Sequence, residues 1–318
     1  MDIFLGILNM TMLSNFRNIA SVSVAMMLIG GMATPGFSVA AQASDRMAQT
    51  QVFVGPQYDT THVYVSEADI DAFVNSFVST FSGKASPRAV FTVTPTASKT
   101  ASQYIQTPVG MVSVFAFQTP IPYPFGEERT GYLVSDMGAA VKSAIAAGAD
   151  IRVESFDDPI GKDALIEWPG GLKMQLYWHT QVPVYAPLES IPDNRVYVSR
   201  LAADKLVRDF LKFSGGKVVS DEQQADGGQI GRIGEKIRVI RLESGFGKMK
   251  IFVSDGKLPY PFGREITGYE VRDLSATLER ALGLGCKILS PAYKTNTGNS
   301  AIVEFPGGYI AEIHDAIR

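Results

Sequence analysis

The 318-residue sequence predicts an α+β protein built as two tandem domains, each a pair of β-α-β-β-β modules. Two collinear repeats and the order of hydrophobic periods within each copy carry that prediction. Residues 122–136, PYPFGEERTGYLVSD, recur as 259–273, PYPFGREITGYEVRD, and 167–171, EWPGG, recur as 304–308, EFPGG. Both pairs lie 137 residues apart, so no net insertion separates them. A looser match, THVYVS at 61–66 against NRVYVS at 194–199, extends the duplication toward the start of each copy.

The elements follow in order. A short β run at Val63–Val65 leads into a helix with Ser66 as its expected N-cap and Asp69 in its first turn. Ile70, Phe73, Val74, Phe77, Val78 and Phe81 then share one face at helical spacing, and Gly83 ends the run. Such a stripe is what a helix presents to a core. Three β-like runs come next, at Ala89–Val93, Gln103–Gln106 and Val112–Gln118. The pattern restarts with a strand at Gly131–Val134 and an alanine-rich helix capped by Asp136 and stopped by Gly148. Strands at Ile151–Glu154, Ala164–Trp168 and Lys173–Trp178 close the copy, the last two joined through the turn-forming Pro169-Gly170-Gly171. Alternation sends Tyr177 and His179 to one face of the last strand and Trp178 to the other. Gly245–Lys248 is too short for a phosphate loop and reads as a turn between strands. Pro122–Phe125 and Pro259–Phe262 read as rigid connectors between modules.

Domain one is expected at 57–180 and domain two at 192–318, with a proline-rich linker at 181–191 and a leader at 44–56. Residues 1–43 carry the marks of a cleaved export signal. Arg17 precedes an apolar run at Ile19–Met32, which is shorter than the ~20 residues a spanning helix needs. Ala41-Gln42-Ala43 offers a signal-peptidase site with the cut after Ala43, which implies a periplasmic or secreted protein; an uncleaved anchor is the alternative.

Composition excludes several classes. Apolar residues make up 46% and charged residues 19%, with a net charge of −3 and no Lys/Arg run. That lacks the electrostatic footprint of a protein that binds nucleic acid or an anionic membrane. Cys286 is the only cysteine, so neither an intrachain disulfide nor a CxxC or Cys-based zinc site can form. There is no Gly-x-Ser-x-Gly elbow, and His179 and His314 read as strand-end residues.

The doubled β-α-β-β-β order, with GYLVSD at 131–136 and GYEVRD at 268–273 opening the second helices and a Pro-Gly-Gly turn before each final strand, resembles the vicinal oxygen chelate superfamily. That superfamily includes glyoxalase I, extradiol dioxygenases and bleomycin- and fosfomycin-resistance proteins. The resemblance implies glyoxalase-like domains whose sheets curl into open, cup-shaped barrels around a ligand. It also implies a lyase, isomerase or dioxygenase-type enzyme, or a binder that sequesters a toxic compound; a structural module with unused cups is the third class.

Most enzymes of that superfamily hold a divalent metal on His and Glu side chains from the first and last strands. Carried across residue by residue, His62 takes the first-strand position of domain one, Arg129 the restarting strand and Gln175 the final strand. Arg195, Ile266 and Glu312 take these places in domain two. His62, Gln175 and Glu312 are therefore vestigial positions, and no metal or other cofactor is expected. A guanidinium has no lone pair to donate and repels the ion. The resulting expectation is a small polar, anionic molecule in the domain-one cup, gripped by Arg129, oriented by Gln175 and Tyr177, with His62 as acid or base. The alternative for Arg129 is neutralisation by a protein carboxylate such as Glu128 or Glu167.

Overall fold

The computed structural model describes residues 51–295 and 298–316, all within one compact unit. The expected export signal at 1–43 lies outside the described residues. No described helix is long and apolar enough to cross a membrane.

Each repeat forms one curled sheet. In the first, β1 (Thr60–Tyr64) leads into α1 (Ile70–Phe81), then β2 (Lys84–Ala85), β3 (Ala89–Phe91), β4 (Thr100–Thr107) and β5 (Gly110–Phe117). The second module follows as β6 (Thr130–Leu133), α2 (Met137–Ala147), β7 (Asp150–Asp158), β8 (Gly161–Trp168) and β9 (Leu172–His179). The strand order is β2-β4-β5-β1-β6-β9-β8-β7, with β3 also on β4. Each module closes by laying its last strand parallel to its first, β5 on β1 and β9 on β6, and the two modules join antiparallel at β1–β6.

The second repeat has the same plan. It runs β10 (Asp193–Ser199), α3 (Arg200–Ser214), β11 (Lys217–Asp226), β12 (Lys236–Ser244), β13 (Gly247–Ser254), β14 (Ile266–Glu270), α4 (Leu274–Gly283), β15 (Lys287–Thr295), β16 (Gly298–Glu304) and β17 (Ile310–His314). Its order is β11-β12-β13-β10-β14-β17-β16-β15. The duplication extends to backbone detail, since Tyr123-Pro124 and Tyr260-Pro261 are both cis.

Helix ends follow local chemistry. Asp136, Ser199 and Asp273 each accept a hydrogen bond from the backbone N–H three residues on, at 2.6, 3.3 and 2.9 Å. Ser66 does not cap α1. It opens a turn in which its hydroxyl donates to Asp69 at 2.6 Å, and the helix starts after Asp69. The α1 stripe ends one residue before the expected stop, at Ser82 in the left-handed region. The expected Gly245–Lys248 turn joins β12 to β13, with Gly247 at φ 83°.

Both principal cores draw on both repeats. In one, α1 lays Phe73, Phe77 and Phe81 against Tyr269, Phe305 and Tyr309 of the second repeat, and α4 contributes Leu274 and Leu278. In the other, Trp168 of β8 packs on Phe210 and Phe213 of α3, and Tyr132 of β6 stacks on Phe246 at 4.6 Å. The helix-covered face of each sheet is thus sealed by the partner repeat. The opposite face lines the cup.

Candidate functional site: two cups of opposite polarity

Strand alternation decides which side chains enter a cup. In β1, Val63 goes to the helix-covered core, so Thr60, His62 and Tyr64 face the other way. In β9, Met174 and Leu176 join the core, so Gln175, Tyr177 and His179 face the first cup. In β8 the same logic turns Asp163 inward, because Ala164 and Ile166 are core.

His62 is 2% exposed and meets Phe115 edge to face. Its Nδ1 lies 3.5 Å from Glu128 Oε1 and makes no hydrogen bond. Glu128, fully buried, accepts from the Tyr64 hydroxyl and from the Gly126 N–H at 3.1 Å. Asp163 is 5% exposed and hydrogen-bonded to Gln175; burial holds its carboxyl well above the usual range, and the nearby Asp158 adds to that. Tyr177 spends its hydroxyl on the Tyr58 carbonyl. The linker contributes as well. Tyr185 stacks on Tyr104 at 5.3 Å and tilts against Tyr58 at 5.5 Å, so this segment lies against the aromatic rim of the first cup.

Arg129 is half-buried, and its charge pulls on the buried Glu265 carboxyl. Its guanidinium donates to the carbonyls of Gly126, at 2.7 Å, and Glu128, at 3.0 Å, and lies 5.6 Å from the centre of the Tyr64 ring. Those contacts tie down its own loop. Glu128 and Asp163 are buried in the cup, and no Lys or Arg among its described residues is fully buried there. The expected grip of Arg129 on an anion therefore competes with the contacts the guanidinium makes to its own loop.

In the ladders Arg129 stands opposite His62 and Ile266 opposite Arg195, but the His62 and Arg195 side chains lean toward the glycine two residues on. Gly131 pairs with Thr60 on one side and Gln175 on the other, and a Cβ added to it would sit 2.5 Å from His62 Nε2. The residue under the imidazole is therefore Gly131, not Arg129. In the second repeat it is Gly268, not Ile266: a Cβ there would sit 3.0 Å from Arg195 Cδ and 3.2 Å from Glu312 Oε2.

The second cup has the opposite character. Arg195 and Glu312, 3% and 1% exposed, form a buried ion pair. Arg195, Lys250 and Arg241 stand in direct register on the neighbouring strands β10, β13 and β12. The equivalent register in the first cup holds His62, Ser113 and Tyr104. Burial pushes Lys250 well below the ordinary lysine range, with the cations Arg195 and Arg241 adding to it. His314, on the same face of β17 as Glu312, is pushed down to about 4, first by burial and then by Arg195, Lys250 and Lys248 against the opposing pull of Asp193.

These positions do not fit a divalent metal. At the carried-over positions the first cup offers one imidazole, a glycine and an amide, with the Glu128 and Asp163 carboxyls nearby; the second offers a guanidinium, a glycine and a carboxylate already paired to that guanidinium. Among the described residues no three His, Cys, Asp or Glu side chains converge on a metal-sized point.

No family model matches the sequence, and no curated protein does. Solved structures do. A triple mutant of 4-hydroxymandelate synthase from Streptomyces coelicolor superposes with a TM-score of 0.55 at 13% identity, over 83% of this chain and 94% of that one. The chain has the vicinal oxygen chelate fold. A xylose isomerase-like TIM barrel/4-hydroxyphenylpyruvate dioxygenase fusion protein gives 0.52 at 13% identity, over 84% of this chain and 49% of that one. A Mn(II)-bound glyoxalase from Novosphingobium aromaticivorans gives 0.49 at 14% identity, over 81% of each chain. At such identities it is the fold that is shared, and a vicinal oxygen chelate fold hosts many chemistries.

Sequence reading missed Asp163, Lys250, Arg241 and Tyr185, and named Glu128 only as a partner for Arg129. The signal for Lys250 and Arg241 lay in the strands themselves, where Arg238 and Arg241 interrupt the apolar run of β12, and Lys248 and Lys250 that of β13. Tyr185 carried no such signal, because a proline-rich segment has no period to read.

Proposed function

We propose that this protein is a metal-independent, small-molecule-binding member of the vicinal oxygen chelate fold, and that its first cup holds a small, uncharged polar molecule against an aromatic wall. The observation that carries the reading is the replacement of ligands at both sets of metal positions, by Gly131 and Gln175 beside His62 and by Arg195 and Gly268 beside Glu312. Tyr64, Phe115 and Phe117 stack along one side of the cup at 5.4 and 6.3 Å and remain half-buried, which offers a face to a planar ligand. The electrostatics favour a neutral guest over the anion expected from sequence.

The His62–Glu128 pair favours a second reading, a metal-free isomerase or lyase. An imidazole with a free Nδ1 beside a buried carboxyl can take and return a proton at that atom.

Elemental analysis of protein purified without chelators, run beside a thermal-shift screen of small neutral metabolites with and without EDTA, tests the proposal. The expected result is no stoichiometric metal and a ligand-induced rise in Tm that EDTA does not change. One tightly held metal per chain, lost in His62→Ala, would overturn it.

A further inference from the structure

We infer that the second cup is an anion site that takes the carboxylate of a small organic acid, with Lys250 as its grip. The argument starts from the cross-strand row. Like charges placed directly opposite each other on neighbouring strands repel, so three cations in register across β10, β13 and β12 need compensation. Arg195 has Glu312, and Arg241 has Glu222 at 3.9 Å. Lys248, at the cup edge, has Glu270 at 3.7 Å, and His314 lies 4.0 Å from that same carboxylate. Asp193, on the cup-facing row of β10, forms no ion pair with Lys250 among the described residues.

Lys250 is the group left over. It is 6% exposed, and its Nζ lies 5.0 Å from the centre of the Phe252 ring, a face it shares with Arg195, also at 5.0 Å. A ring quadrupole offsets part of the cost of burying a cation, but it supplies no lone pair to three N–H donors. Among the described residues Lys250 forms no hydrogen bond or ion pair, with Asp193 and Glu222 acting on it only at longer range, and an oxyanion would supply the acceptor its N–H groups lack.

The surroundings choose which oxyanion. The half-buried Tyr197 stacks at 5.1 Å on Phe252, which is buried with Ile237 and Val239 of β12, so the surface beside the cations is apolar and aromatic. That surface suits a carboxylate carried on an aromatic or aliphatic body and gives nothing to the free side of inorganic phosphate. The first cup has no counterpart, since its matching row is His62, Ser113 and Tyr104.

Calorimetric titration of the full chain with sodium benzoate, beside inorganic phosphate and in chloride-free buffer, tests the inference. Saturable benzoate binding is expected, weakened by roughly tenfold or more in Lys250→Met, the range for one hydrogen bond to a charged group. Lys162→Met, which removes an exposed cation of the first repeat, should bind benzoate as the wild type does. Because Lys250→Met removes a buried charge and keeps an unbranched side chain only one atom shorter, the variant should fold with an unchanged or higher Tm. Benzoate affinity retained in Lys250→Met, phosphate binding as tight as benzoate, or no heat from either anion would overturn the proposal.

Discussion

Arg195 and His62 occupy the same place in the two repeats and show how one residue sets the character of a cup. The imidazole of His62 can be buried neutral, and its neighbours are an amide, a serine and a tyrosine. The guanidinium of Arg195 cannot shed its proton at any ordinary pH, so its burial obliges a carboxylate nearby. Glu312 meets that need where the first repeat has Gln175. Glu312→Gln should therefore cost about 3–5 kcal/mol in urea unfolding, because it leaves Arg195 and Lys250 buried together without a buried acid. The double variant Arg195→Met/Glu312→Leu should recover most of that loss, since an apolar pair of similar volume replaces a desolvated ion pair. Equal losses in the single and double variants would show that the pair matters through shape alone.

At the scale of elements, the seam between the two sheets is polar where the helix-covered faces are apolar. The Thr61 and Thr267 hydroxyls meet at 3.0 Å, and Thr130 donates to Glu265 at 3.1 Å, tying β1 and β6 to β14 and the residue before it. Burial pushes Glu265 up to about 7, against the hydrogen bond from Thr130 and the pull of Arg129. Between the ordinary glutamate range and about 7 the folded chain therefore holds a proton that the unfolded chain has released. This contribution to stability falls as pH rises through that window and levels off above it. His314 acts in the opposite sense between about 4 and the ordinary histidine range, where the unfolded chain holds the extra proton. The difference between wild type and Glu265→Gln isolates the glutamate. The variant should gain stability relative to wild type as pH rises from 5 to 8 (about the span of the window), measured by urea midpoints; a constant difference across that range would show that Glu265 does not titrate there.

For the whole molecule, the sheets follow the repeats and the cores do not. Each principal core takes one module from each repeat, so α1 lies on Phe305 and Tyr309 while Trp168 lies on α3. A fragment spanning 57–180 would expose Phe73, Phe77 and Phe81 to water along one helix face, an aggregation surface rather than a solvated one. Expressed alone, it should bind a hydrophobic dye and lack a cooperative thermal transition. Co-expression with 192–318 should restore both near-UV dichroism and cooperativity. Independent, cooperative unfolding of either piece would mean that each repeat carries a sufficient core of its own.

Much of this was legible in the chain itself. Repeat, strand order, helix faces and two of the three side-chain caps are local properties, written in period, punctuation and self-similarity, and they led to the vicinal oxygen chelate fold without coordinates. The alternation that sends Tyr177 and Trp178 to opposite faces was equally local. What only the tertiary structure decided were the long-range pairings. Side-chain direction brought the His62 imidazole over Gly131, two residues beyond its ladder neighbour Arg129, and curvature buried Glu128 and Asp163 in one cup. Register aligned Arg195, Lys250 and Arg241, residues from three separate strands, in the other. Charge in a strand can be read from sequence, but which charges share a low-dielectric space cannot. Polarity of a cup is a sum over strands, and the sum exists only once the sheet has closed.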